Sequence, residues 1–228
     1  MDAPITREEQ TWLTLLHLHD SAFPIGAFAH SNGLERYAEL GMDAAGLKAW
    51  LTGQLHYGLG RLDLAALVRA YQLEADDAAA GLRALATELD AWKSVPTLRS
   101  TSLSLGRRTL TLARRVWPEA ARGIDLAHDA CHHPLVVGRL SRLLALPLRP
   151  SALAFTRAAL AASVSAATRC LPLGPERAQV LLAELNPEVV DAVERVLADP
   201  QASLWSATPA ADLRAAQQPS MVSRMFES

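Results

Sequence analysis

Lysine is almost missing from this 228-residue chain, which carries 2 lysines against 20 arginines. Cysteine is as scarce, with Cys131 and Cys170 the only two. A single core of this length buries roughly 70 per cent of the unfolded chain's surface, so neither a disulfide nor a structural metal is needed for stability. The opening residues MDAPITREEQ have no basic n-region and no apolar h-region, and the expectation is a cytoplasmic protein with free thiols. Long apolar runs are missing too. The longest, residues 158–168, has eleven uncharged positions, where a membrane helix needs about 20; no membrane span is expected. Neither Lys48 nor Lys93 follows a glycine, which excludes a phosphate-cradling loop and nucleotide hydrolysis by that means. No alternating apolar and polar run is bounded by turn signals, so strands are not expected.

What is present is helical period. Thr6 and Glu9 have capping-box spacing, and Trp12, Leu15, Leu16 and His19 then recur at i, i+3, i+4 and i+7. Leu34 to Leu40 predicts a second helix stopped at Gly41, and Asp43 caps a third carrying Leu47, Trp50, Leu51 and Leu55. Similar stripes follow from Leu64 to Tyr71, Leu82 to Trp92, Leu98 to Leu112, Val137 to Leu144 and Leu153 to Leu171, with Pro175 fitting the first turn of the next helix. The predicted architecture is a single all-α domain over residues 1–228, a bundle of about eight to ten helices. From 201 to 228 the period weakens, giving either a frayed terminus or a tail that orders on a partner.

The net charge of -2 conceals an asymmetry. Basic against acidic residues number 6 to 13 over 1–90, 13 to 4 over 91–180 and 3 to 7 over 181–228. A basic middle suits nucleic acid or an acidic protein, unless the fold neutralises it internally. Within it, Arg107-Arg108 and Arg114-Arg115 lie seven residues apart on one helix side, without aromatic or polar base readers between them. A solvated face is the plainer reading and a protein-docking face the next.

Other constellations are weak. His128, Cys131 and His132 would share a helical face at i, i+3 and i+4 and could grip nickel or zinc, although Pro134 follows closely. Ser31 lacks the preceding strand and first glycine of a nucleophile elbow and reads as a helix cap. Gly58-Leu59-Gly60 lacks the third glycine of a dinucleotide fingerprint and reads as a helix break. The remaining oddity is the stretch from Asp20 to Glu35, DSAFPIGAFAHSNGLE, whose Pro24, Gly26 and Asn32-Gly33 break helices while Phe23, Ile25 and Phe28 seek burial. It is either a loop tucked under a core or a contact surface.

Pro24, Gly26, Phe28, Ser31, Gly33, Leu34 and Glu35 together resemble the N-terminal signature of the urease accessory protein UreF family. The resemblance continues at Leu98-Arg99-Ser100 with Gly106, at His133-Pro134 with Gly138, at Arg169 to Gly174 (RCLPLG), at Gln179 and at the terminal SRMFES, nearly the whole chain in order. Pro175 stands where glutamine is usual, Glu227 where a basic residue is usual, and Gln217 or Gln218 where members often have histidine. The resemblance implies an all-α homodimeric chaperone without catalysis of its own. It implies assembly with the UreD/UreH scaffold and the GTPase UreG on apo-urease, in support of nickel insertion and lysine carbamylation. No cofactor is expected to bind tightly, and nickel would at most be in transit; no nucleic acid or membrane partner is implied. It further implies partner contacts at Pro24, Gly26, Phe28, Ser31, Gly33, Glu35, Arg99, Arg169, Arg224, Met225 and Phe226, and a C-terminal tail that folds against the scaffold. The alternatives are a nucleic-acid-associated helical protein using the basic middle, and a nickel- or zinc-binding protein built on His128, Cys131 and His132.

Overall fold

The computed structural model describes residues 5–227. Helices run in the order α1 (Arg7–Leu18), α2 (Leu34–Glu39), α3 (Ala44–Tyr57), α4 (Leu62–Gln72), α5 (Ala78–Trp92), α6 (Pro96–Val116), α7 (Pro118–Arg122), α8 (His133–Leu143), α9 (Leu148–Cys170), α10 (Pro175–Glu184), α11 (Asn186–Ala198) and α12 (Pro209–Gln217), with short 3-10 turns at Ala27–Ala29 and Gln218–Ser220. There is no strand among the described residues. The predicted all-α bundle is the observed one, the two extra helices being the short α7 and α12, the latter inside the stretch from 201 where the helical period weakens.

The caps of α1 and α3 fall where the sequence places them. Thr6 and Glu9 close a reciprocal box, the Glu9 carboxylate accepting from the Thr6 N–H at 2.8 Å and the Thr6 hydroxyl accepting from the Glu9 N–H at 3.2 Å. Asp43 accepts from the Gly46 N–H at 2.8 Å to start α3. Such a cap is worth about 1 kcal/mol, whereas each of the fully buried Leu47, Leu51 and Leu55 contributes roughly 1.5–3 kcal/mol. The leucine stripe therefore holds α3 in place, and the cap sets where it begins.

Two apolar clusters meet along α9. One gathers α4, α5, α6 and α8 around Leu64, Leu67, Leu82, Leu110, Leu135 and Leu140. The other packs α2, α3, α10 and α11 around Leu34, Leu51, Leu160, Leu182 and Val189. Within the first, α4 and α8 approach so closely that a side chain at Gly138 would collide with the Leu67 carbonyl. The break at Gly58–Gly60 separates α3 from α4, as expected of those glycines. No helix among the described residues is long and apolar enough to cross a membrane.

Candidate functional site

The stretch after α1 cannot continue as α-helix, and its geometry follows from residue type. Gly26 (φ 82°), Asn32 (φ 51°) and Gly33 (φ 87°) all adopt left-handed backbone. At Gly33 this is doubly demanding, because a Cβ there would sit 2.8 Å from the Ala215 nitrogen in α12. The loop's apolar residues divide their tasks. Phe23 is buried, stacked on Trp117 with centroids 6.0 Å apart and edge-on to His17 at 5.6 Å. Phe28 remains 58% exposed. The segment is thus both a plug and a surface.

The C-terminal tail lies across this loop. The Glu227 N–H donates to the Ala29 carbonyl at 2.8 Å, and the Met225 N–H donates to Glu35 Oε1 at 2.5 Å. Phe226, only 5% exposed, packs under the Arg169 guanidinium at 4.1 Å from its ring centroid, and Arg169 also donates to the Phe28 carbonyl. From α12's end, the fully buried Gln218 donates its amide to the Phe226 carbonyl at 3.0 Å. Residues from three distant parts of the sequence, the segment holding Phe28 and Glu35, Arg169 of α9, and the tail at Phe226, are thereby brought together. The tail is anchored in cis through its backbone and Phe226, while Arg224 and Met225 face outward.

Under the loop lies a cavity of about 320 Å³, lined among others by Phe23, Ile25, His30, Thr101, His133 and Phe155. Burial pushes His19 down to about 3 and His133 down to about 4, with His133 adding to the effect on His19. His30 Nδ1 lies 3.4 Å from the Thr101 hydroxyl, and burial likewise lowers its pKa. These imidazoles are neutral at pH 7. Asp63 and Lys93, also at the cavity, pair at 2.9 Å.

Other residues named from the sequence lie elsewhere. Glu35 is buried, so its carboxylate serves the tail and is not offered to solvent. Arg99 on α6 is 3.9 Å from Asp90 of α5. Ser31 is buried but is not the N-cap of α2, a position taken by Gly33. Pro24 borders a separate basic cleft. The helical face expected for His128, Cys131 and His132 does not form, because Pro134 belongs in a first turn and α8 begins only at His133. His132 is fully buried between the Ser102 hydroxyl at 3.1 Å and Asp90 at 3.2 Å, whereas His128 is exposed. Among the described residues no group of three or more His, Cys, Asp or Glu is arranged to hold a metal ion. Gln218 and Arg108 carry structural weight that the sequence reading missed. Arg108 braces the loop by donating to the Ile25 carbonyl at 3.4 Å, and only the contact across 83 residues reveals it.

Comparison with known proteins gives the arrangement its context. The UreF family model matches residues 42–186, which leaves the loop and the tail outside the matched span. Curated relatives extend over both. The urease accessory protein UreF of Rhodopseudomonas palustris (strain BisB5) is 33% identical, covering 99% of this chain and 95% of the relative. That of Bradyrhizobium diazoefficiens is 34% identical over 96% of this chain and 89% of the relative, and that of Nostoc sp. (strain PCC 7120) is 28% identical over 98% of each. The chain belongs to the UreF family of urease accessory proteins.

Proposed function

We propose that this chain is a non-catalytic maturation chaperone of the cytoplasm, a homodimer that assembles with UreD/UreH and the GTPase UreG on apo-urease. Its role in that assembly is to support nickel insertion and carbamylation of the active-site lysine, with nickel passing as cargo. The observation that carries this reading is the way the loop and tail form one surface. Phe28, Arg224 and Met225 project outward from a base of Phe226, Glu35 and Gln218 that is already buried. A surface so fixed loses less conformational freedom on docking than a loose tail would. Exposed Phe and Met beside an Arg also match the composition enriched at the centres of protein interfaces.

Complementation tests the proposal. In a host whose own chain of this kind is deleted, wild type is expected to restore active, nickel-loaded urease. Phe28→Glu combined with Met225→Glu alters only outward side chains and is expected to leave urease largely apo. Full activation by that double variant would contradict the reading.

A further inference from the structure

The arginine pairs of α6 line a second cleft, which adjoins the loop at Pro24. Arg107, Arg108, Arg114 and Arg115 border a concavity of about 550 Å³ whose other walls include Pro24, Leu126 and Cys131. Arg107 and Arg114 stand one heptad apart, as do Arg108 and Arg115, so their positions on α6 repeat at about 10 Å along the helix. No ion pair among the described residues involves any of the four. Two of them make hydrogen bonds to carbonyls instead: Arg107 to that of His128 at 3.3 Å and Arg108 to that of Ile25 at 3.4 Å. Among the described residues Asp129 is the one acidic group acting on Cys131 beside Arg107 and Arg114, so basic charge predominates around that wall of the cleft. Arg114 and Arg115 gain from the C-terminal end of the α6 dipole, but Arg107 and Arg108 lie too far from that end to share in it. The floor is apolar, with Leu110, Leu126 and Cys131 all buried.

We infer that this cleft docks an acidic segment of a partner protein, one whose carboxylates lie about 10 Å apart and flank a leucine-sized apolar side chain. Charge complementarity fixes the sign of the occupant, and the apolar floor favours a peptide over nucleic acid. Trp117, the aromatic nearest the end of α6, could have stacked on a base but is committed to Phe23 and His17. The inference does not depend on the urease assembly.

Fluorescence anisotropy with the purified full chain tests it, using as probes a fluorescein-labelled peptide of glutamates flanking leucine and a labelled short duplex DNA, each at low and physiological salt. The peptide is expected to bind more tightly than the duplex and to weaken with salt. Arg107→Glu with Arg114→Glu should lower peptide affinity about tenfold or more. The milder Arg107→Gln with Arg114→Gln should lower it in the same direction if charge reversal disturbs folding. Arg7→Glu with Arg83→Glu, which removes the same charge elsewhere on the surface, should leave it unchanged. Arg108 is kept intact because it braces the loop. Equal loss in the Arg7 and Arg83 variant, no loss in either cleft variant, or tighter binding of the duplex would overturn the inference.

Discussion

The backbone N–H of Met225 meets the carboxylate of Glu35 at 2.5 Å across 190 residues of sequence. The second oxygen of that carboxylate is buried without a hydrogen-bond partner among the described residues. Glu35→Ala therefore removes two things of opposite sign: an acceptor for the tail and an unsatisfied buried oxygen. Global melting is expected to move little, whereas amide exchange at Met225 and Glu227 should accelerate strongly. Unchanged protection at both amides would show that the tail does not depend on Glu35.

Phe226→Ala tests the anchor itself. The substitution gives up a buried ring, typically about 3 kcal/mol or more in a closed core, and an Arg169 contact of about 1 kcal/mol. Because the tail can open alone, most of the loss should appear locally. Trypsin cleavage after the exposed Arg224, followed by mass spectrometry, should become much faster in the variant while helical circular dichroism persists. Equal cleavage rates would mean Phe226 does not hold the tail.

Helices were legible in this sequence and the site's geometry was not, for a definable reason. The box at Thr6 and Glu9, the Asp43 cap and the Leu47, Leu51, Leu55 stripe are local patterns, read within one or two turns. The pairing of Phe226 with Arg169 and of Glu35 with Met225 depends on how α2, α9 and the tail converge, which no local period encodes. The helical face imagined for His128, Cys131 and His132 failed on a local signal that was present, Pro134, which starts a helix more readily than it continues one. Likewise the sequence around Ser31 suggests a cap, but the left-handed turn places Gly33 there.

Gly33→Ala should destabilise the loop's junction with α12. The left-handed backbone costs an alanine roughly 1–2 kcal/mol, and its Cβ would press on Ala215 at 2.8 Å, so the total should exceed that figure. Gly53 lies inside α3 with nothing within 4 Å of an added Cβ, and Gly53→Ala should stabilise by about 0.5–1 kcal/mol. Urea unfolding of both variants checks the pair, and similar midpoints would contradict the geometry at Gly33.

Acidification should weaken the fold before most carboxylates titrate. His19 and His133 have folded pKa values of about 3 and about 4, below the ordinary 6.5. Between those values and 6.5 the unfolded chain binds more protons, so stability is lost as pH falls through that window, by up to about 1.4 kcal/mol per pH unit for each group. His133→Gln should flatten the melting profile between about pH 6 and 4 relative to wild type. Parallel profiles would place the acid sensitivity elsewhere.

Co-purification bears most directly on the claim that loop and tail form the partner-docking surface. With UreD/UreH and UreG co-expressed, the full chain should retain both, whereas deletion of 220–228 should lose both and keep its helical signal. Retention of both partners by the truncated chain would contradict the account.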